Sequence, residues 1–400
     1  MSGQRNVSLV REGTKFGCAP DQVAGFKKYL SNVATLIEQE GDRFDLAFEW
    51  TSPLSGRPGR FFQLHGLRKE AAMATSLYAA LLRQLAHQGV ADLLGLSPGS
   101  TALPPGGDAA AAALAAAVAQ LRGAAGVYEH LAESVLPPLF AELKGDRPGE
   151  IMARLATAMA QLCLAEAQAL TAFRAGARAG SSAPVVASLH VGAAELYERG
   201  VKTIRDYIGD YTIASDRLRR YLAIGASLAT ARAHKVMAGE HHAQLQAGAA
   251  ERACAEAQAL LATCMSAADC DAAWRGVLSA ELAEVERIKK PIESDRLVVY
   301  CQPLPREAPA LPAGKVLVSP LAYQPERLPS TAGELAGAAA AHSRPRRPPA
   351  LPAAPCGRAI RPGALANDSP HRPRASARDA ADAPRCRRDS SREPAARRAN

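Results

Sequence analysis

Aromatic residues are scarce in this 400-residue chain, at 5% of the sequence, whereas hydrophobic residues as a whole make up 48%. Alanine supplies much of that apolar content, and alanine is the best helix former and a poor strand residue. The composition therefore argues against an all-β protein. It predicts a mainly helical fold with enough apolar residues for a sizeable core.

Motifs that mark common enzyme and metal sites are also missing. The eight cysteines include no CxxC pair, so a zinc ribbon or a thioredoxin-type site has no support. The sequence contains no GxxxxGK[ST], no GxGxxG after a strand, no HExxH and no GxSxG. We therefore expect a protein that is not an enzyme and that uses no cofactor.

Segments typical of targeting or membrane-spanning sequences are lacking as well. The first residues contain no apolar signal core. The longest weakly apolar run, Ala109–Gln120, is too short to cross a bilayer. We expect the protein to reside in the cytoplasm.

The positive charge is confined to one end of the chain. Residues 331–400 contain 14 Arg and 6 acidic residues, whereas the first 330 contain 34 Lys and Arg against 33 acidic residues. The body is thus nearly neutral, and the high isoelectric point does not indicate a nucleic-acid-binding domain. The tail, residues 330–400, has few large apolar residues and is predicted to be disordered.

Apolar periodicity divides the body into a β-hairpin and about seven amphipathic helices. Alternating apolar residues around a turn-rich segment predict the hairpin at about 44–66. The clearest helical stripe runs from Ile151 to Phe173. Short connections between such helices favour antiparallel neighbours, which predicts an elongated helical solenoid.

The second half of the body gives more specific predictions. Ser215 is expected to cap a long helix that runs to about residue 263, and Pro291 is expected to end the last helix. Leu297–Val299 are expected to form a short strand. Seven prolines between residues 303 and 329 indicate an extended segment over the surface, so we assign a Pro-rich strap to 292–329. Residues 1–18 are an N-terminal extension, and 19–329 form the domain.

A histidine cluster is the one candidate metal site. His234 and His241 lie two turns apart on the same face of a predicted helix, with Glu240 beside them. No second ligand set is evident, so a polar helix face is favoured. The alternative, a metal-dependent enzyme, predicts bound metal in the purified protein.

The tail carries one definable interaction motif. Arg346, Pro349 and Pro352 fit the Arg-x-x-Pro-x-x-Pro pattern that docks into SH3-type aromatic grooves. The charge of the tail would also suit an anionic membrane or RNA. An alternative function is therefore a helical adaptor that acts through its basic, Pro-rich tail, with the body as a spacer.

Several segments, in order and spacing, resemble the BRO-one domain of ALIX-like endosomal-sorting proteins. The resemblance covers about residues 15–325, and the chain is most similar to the short single-domain forms of plants and algae. The segments are FEWTSPLSG (48–56), AAGVYEHLAESVLPPL (124–139), LCLAEAQAL (162–170), SDRLVVYCQPLP (294–305) and ALPAGKVLVSPLAY (310–323).

The resemblance implies a TPR-like, banana-shaped domain that serves as a non-enzymatic scaffold on the cytoplasmic side of endosomes. Family members hold the C-terminal amphipathic helix of an ESCRT-III subunit in a concave apolar groove. The matched positions are Val185 and Leu189, and Leu170 and Phe173 would supply the facing wall. All four could equally be ordinary core residues.

Two further positions follow from the resemblance. Tyr300 matches a family tyrosine on an extended segment, where it would be a peptide-docking or phosphorylation point, or an anchor for the strap. Thr171 stands where the family commonly has an aromatic residue. A smaller side chain at that position buries less apolar surface, which predicts weaker partner binding.

Overall fold

The computed structural model describes residues 19–41, 46–57, 59–94, 107–143, 147–206, 213–266 and 270–326. All of them belong to the first of two units in the chain, Met1–Thr331. The predicted extension 1–18 and the predicted disordered tail lie outside the described residues. The same holds for the tail motif of Arg346, Pro349 and Pro352.

The predicted mainly helical fold is confirmed. The regular structure of the described residues consists of eight α-helices, one two-stranded sheet and several short 3-10 and π-helical turns. In chain order the α-helices and strands are α1 Pro20–Glu40, β1 Ala47–Thr51, β2 Phe61–His65, α2 Leu67–Leu94, α3 Gly107–His130, α4 Ala153–Gly176, α5 Ala183–Arg205, α6 Asp216–Ala243, α7 Ala247–Ser266 and α8 Ala272–Ser294.

Each helix packs against the next helix in the sequence, from α1 on α2 to α7 on α8. Sequential antiparallel packing is what short connections between amphipathic helices favour. Two large apolar cores result, one formed by the hairpin and the helices up to α6, and one formed by α6, α7 and α8, and a small third cluster of alanines lies between α5 and α6. Helix α6 belongs to both, because Leu222 faces the first core and Leu228 faces the second.

The predicted hairpin is present, and the buried carboxylate of Glu70 connects it to the helices through hydrogen bonds. Strands β1 and β2 pair antiparallel with Trp50 opposite Phe62, and both side chains are buried. Glu70 in the first turn of α2 is fully buried and accepts hydrogen bonds from Trp50 Nε1 and Tyr29 Oη, both at 2.7 Å. Buried carboxylates require such donors, so Glu70 joins β1, α1 and α2.

Two boundary predictions in the second half are wrong. The long helix from Ser215 ends at Ala243, and a turn at Gln244–Gln246 with Leu245 at φ 60° reverses the chain into α7. The last helix continues through Pro291 to Ser294, because Ile292 beyond the proline is buried in the second core. Tertiary packing here outweighs the local cost of proline.

The predicted strand at Leu297–Val299 is also absent from this described segment. Residues Asp295–Val299 form a π-helical turn that extends α8, and all three apolar side chains are exposed. A β-branched run with no partner strand gains nothing from an extended conformation. The strap is consequently shorter than predicted and is extended over residues 301–326.

Two buried carboxylates connect helices deep in the array. Glu166 of α4 accepts hydrogen bonds from Arg83 Nε of α2 at 2.8 Å and from Tyr221 Oη of α6 at 2.8 Å, and its Oε2 lies 3.1 Å from His87 Nε2. Glu281 of α8 is fully buried and pairs with two basic residues of α6, Arg232 and Lys235. Each carboxylate bridges helices that are not adjacent in sequence.

One helical stretch, Ala109–Val135, is long and apolar enough to cross a membrane by length and composition alone. Its mean hydropathy reaches 1.4, and 44% of that window is buried. Leu114, Leu121 and Tyr128 from this stretch are each at most 1% exposed. The stretch is therefore accounted for as a core helix of the array.

Candidate partner-binding face

The strap, residues 301–326, crosses the helices in reverse chain order. Gln302 bonds to the backbone of α7 at Gly248, and Lys315 N donates to Ser188 O of α5 at 2.9 Å. Further along, Leu321 N donates to Arg122 O of α3, and Tyr323 packs between Tyr78 of α2 and His130 at the end of α3. The strap therefore connects the last helices with the first.

Glycines mark three of the crossing points. A Cβ atom built on Gly192 of α5 would lie 2.5 Å from Lys315 O. Gly126 of α3 and Gly248 of α7 are approached just as closely by the carbonyl oxygens of Leu321 and Pro303. Glycine lacks a Cβ and so lets a second backbone come this near. The strap is thus seated directly on helix backbone.

Gln168 fixes the strap between α4 and α5. Its side chain is fully buried, and its Nε2 donates to Leu189 O at 3.1 Å and to Lys315 O at 2.8 Å. Its Oε1 accepts from Leu317 N at 3.0 Å. One amide group therefore satisfies backbone groups from α5 and from two positions of the strap.

Val185 and Leu189, one turn apart on α5, have opposite environments. Val185 in the first turn of the helix is 50% exposed, whereas Leu189 is 2% exposed. The backbone O of Leu189 accepts a hydrogen bond from Gln168 Nε2, which also donates to Lys315 O of the strap. Leu189 therefore lies where α4, α5 and the strap meet. The structure thus corrects the prediction for Leu189, which is a core residue and not an accessible anchor.

The facing wall predicted from Leu170 and Phe173 stays a prediction. At about 100° of rotation per residue, these two positions lie roughly 200° and 140° around α4 from Gln168. Leu170 packs against the first core, and Phe173 is half-buried. Thr171 is the α4 residue on the Gln168 side, and its hydroxyl bonds to Ala167 O of its own helix.

We use the name strap face for four residues near this crossing: Val185 of α5, Thr171 of α4, and Val316 and Leu317 of the strap. Val316 and Leu317 of the strap are 37% and 56% exposed. Arg174 and Arg178 at the end of α4 and Lys315 on the strap are exposed and basic, and the exposed acidic Glu195 of α5 lies against Gly314 of the strap. Such a surface suits one apolar side of an amphipathic helix with acidic residues at its edges.

The chain matches the family model of the BRO1-like domain over residues 14–334. The match spans most of the chain and includes all of the described residues. This chain belongs to the BRO1-like domain family. No curated protein matches it by sequence at a significant level.

Solved structures share the fold of this BRO1-like domain at low sequence identity. The ALIX BRO1 CHMP4C complex is 16% identical with a TM-score of 0.59, and the alignment covers 81% of this chain and 85% of that one. ALIX in complex with the SIVmac239 PYKEVTEDL late domain is 16% identical with a TM-score of 0.61, and the alignment covers 81% of this chain and 44% of that one. A Bro1 domain described as a basis for endosomal targeting is 14% identical with a TM-score of 0.55. The alignment covers 80% of this chain and 82% of that one.

Tyr300 of this BRO1-like domain stands at the end of the π-helical turn after α8. It is half-buried, and its backbone N donates to Asp295 O at 2.9 Å. The strap is anchored here by Gln302, whose Nε2 donates to Leu245 O at 2.8 Å and whose Oε1 accepts from Gly248 N at 3.0 Å. A docking or phosphorylation role for Tyr300 stays a prediction.

Two of the three candidate metal residues have side-chain partners within their own segment. His241 Nδ1 lies 2.9 Å from Gln246 Oε1, and Glu240 accepts from Gln244 Nε2 at 2.7 Å. His234 is 8% exposed, and burial lowers its pKa. Within the described ranges, no group of three or more His, Cys, Asp or Glu residues is arranged to hold a metal ion.

Proposed function

We propose that this BRO1-like domain is a non-enzymatic endosomal-sorting scaffold that binds the C-terminal amphipathic helix of an ESCRT-III subunit on the strap face. The ALIX BRO1 domain, which has the same fold, occurs in a complex with CHMP4C. The observation that carries the proposal is the 50% exposure of Val185 at a position that the family resemblance assigns to the partner.

The chemistry of the strap face supports this assignment. An isolated half-exposed valine needs no explanation, but Val185 lies on the same side of α5 as the strap, which adds two exposed apolar side chains. The basic flanks favour a partner helix with acidic edges. A groove with Thr171 in place of an aromatic residue buries less area, so we expect binding in the micromolar range rather than tighter.

The proposed location is the cytoplasm, with peripheral association with endosomes through the bound partner. Family membership supports this location, as does the structural similarity to a Bro1 domain described for endosomal targeting. An ESCRT-III subunit would bring the scaffold to the membrane surface.

Replacing Val185 with aspartate is expected to weaken partner binding at least about tenfold, because a charge replaces apolar contact area. The measurement is a titration of the full-length chain with synthetic C-terminal helices from the ESCRT-III subunits of the same organism. Because Val185 is half-exposed, the helical circular dichroism and the melting temperature should stay near those of the wild type.

Val298→Asp is the matched control, since Val298 is 76% exposed on the turn after α8. It should bind like the wild type. If the wild-type protein is folded and binds none of the helices, the proposed function is wrong. If Val185→Asp binds as well as Val298→Asp, the partner does not use the strap face.

A further inference from the structure

We propose that a cavity between the N-terminal ends of α6 and α8 is a second binding site, which takes the C-terminus of a peptide that ends in a large apolar residue. The cavity has a volume of about 400 Å³, and ligand pockets span about 300–1,000 Å³. Its lining residues are Arg217, Arg220, Tyr221, Ile224, Asp271 and Trp274. They belong to neither α4, α5 nor the strap, so the site is separate from the strap face.

One face of α6 forms both the charged rim and the apolar floor of the cavity. Arg217, Arg220, Tyr221 and Ile224 follow one another at the i, i+3, i+4 and i+7 positions that share a helix face. The exposed fraction falls from 90% for the Arg217 side chain and 39% for that of Arg220 to 7% for Ile224. A ligand with a charged and an apolar end would therefore place its charge at the rim and its apolar group inside.

Two aromatic rings form the wall of the cavity. Trp274 of α8 meets Tyr221 edge to face, with 5.0 Å between the ring centroids. The Tyr221 ring is held in place from behind, because its hydroxyl donates to Glu166 at 2.8 Å and the Arg83 guanidinium lies over its ring. The wall thus offers an ordered aromatic surface against which a large apolar side chain can pack.

The charges at the rim favour a single negative charge. The two arginines and Asp271 give the lining a net charge of +1. Arg217 Nη2 lies 4.0 Å from Asp271 Oδ2, longer than the 2.7–2.9 Å of a charge-assisted hydrogen bond. A guanidinium binds a carboxylate through two parallel N–H groups. A monoanionic carboxylate would neutralise the lining, whereas a phosphate dianion would also face the charge of Asp271.

Asp271 supplies the reason for choosing a peptide C-terminus among carboxylates. Its Oδ1 accepts a hydrogen bond from Trp274 N at 2.9 Å and so caps α8, while its Oδ2 faces Arg217. The N–H and the α-carboxylate of a terminal residue are attached to the same Cα atom. They can therefore contact Asp271 and Arg217 together, with the side chain inside the cavity and the peptide leaving over the exposed rim. Capture of a terminal carboxylate is a known mode of peptide recognition.

The first test titrates the full-length chain with the peptide acetyl-Gly-Ser-Gly-Phe carrying a free carboxylate. The chain has two tryptophans, and Trp50 is buried, so the indole N–H signal of Trp274 in a nitrogen-15 NMR spectrum reports on this cavity. We expect that signal to shift with a Kd below about 1 mM.

Two matched peptides separate the charge from the side chain. The same peptide with a C-terminal amide lacks the carboxylate, and the same peptide ending in alanine lacks the ring. Each should bind at least about tenfold more weakly, the first through the lost charge-assisted hydrogen bonds and the second through the lost apolar burial.

Arg217→Gln is expected to weaken the acid peptide at least about fivefold with an unchanged melting temperature, because Arg217 is at the exposed rim. Arg287→Gln is the matched control, since it removes the same charge from a side chain that is 70% exposed in the second half of α8. Arg287→Gln and Val185→Asp should both bind the peptide within about twofold of the wild type.

Four results would overturn the proposal. They are a Trp274 signal that does not move up to about 5 mM peptide, equal binding of the amide and acid peptides, equal binding by Arg217→Gln and Arg287→Gln, and a shift produced by adenosine monophosphate at lower concentration than by the acid peptide, which would assign the cavity to a nucleotide. The titration of the strap face with ESCRT-III helices is independent of all four.

Discussion

Replacing Glu166 with alanine is expected to lower the free energy of unfolding by about 3–5 kcal/mol, because it breaks a buried ion pair and leaves one partner without its counter-charge. Glu166 is 5% exposed and binds Arg83 of α2, His87 of α2 and Tyr221 of α6. The residue therefore holds three helices together, and its loss affects the whole first core. Urea unfolding followed by helical circular dichroism measures the change.

Glu284→Ala is the matched control for Glu166→Ala. Glu284 pairs with Arg287 three residues later on the exposed side of α8, and exposed pairs of this kind contribute little. The urea unfolding midpoint of Glu284→Ala should stay near that of the wild type. Equal unfolding midpoints for the two alanine variants would contradict the role assigned to Glu166.

The Glu166 network also predicts a pH dependence of stability. Burial by itself would raise the pKa of Glu166, but the charge of Arg83 and the hydrogen bonds from His87 and Arg83 outweigh it and hold the pKa well below the usual range. The folded-state pKa is thus below the unfolded value of about 4.3. The stabilisation is fully present above that pH and is lost as the pH falls from there toward the folded-state pKa.

Glu166→Gln tests this dependence, because it keeps the size of the side chain and removes the titrating group. The unfolding free energy of the wild type should drop more steeply below about pH 4.3 than that of the variant. Parallel curves for the two proteins would show that Glu166 is not the carboxylate responsible.

The elements that the sequence predicts correctly are those with strong local patterns. Apolar residues alternate with a period of two around Trp50 and Phe62, and this segment forms the hairpin. The stripe from Ile151 to Phe173 has the period of a helix, and most of it lies in α4. The break after Ala243 has no such signal, since neither Gly nor Pro marks it and Leu245 adopts a positive φ. Pro291 predicts the end of α8 wrongly, because burial of Ile292 outweighs the cost of a proline in the helix.

The candidate site was predictable only in part, because its geometry depends on a segment distant in sequence. Periodicity places Val185 and Leu189 on one side of α5 but cannot tell which of them is covered. That depends on Gln168 and on the strap about 130 residues further along. Some glycines within helices are a signal of the crossing, since Gly126, Gly192 and Gly248 are all approached by strap carbonyls.

Replacing Leu189 with aspartate is expected to unfold the protein or to lower its stability by several kcal/mol, because an unpaired carboxylate would enter a site that is 2% exposed. Leu189→Ala should cost about 2–5 kcal/mol through the lost contacts and the cavity left behind. Thermal and urea unfolding of the full-length chain measure both effects.

The comparison with Val185→Asp one turn away makes this result decisive. Both substitutions introduce the same charge, one turn apart on α5. Aspartate is favoured in the first turn of a helix by about 1 kcal/mol at most, so a difference of several kcal/mol reports burial. A stable Leu189→Asp protein that fails to bind the ESCRT-III helix would contradict the core assignment and restore Leu189 as a partner contact. An unstable Leu189→Asp beside a stable, non-binding Val185→Asp would leave the anchoring role on α5 to Val185, with the strap beside it.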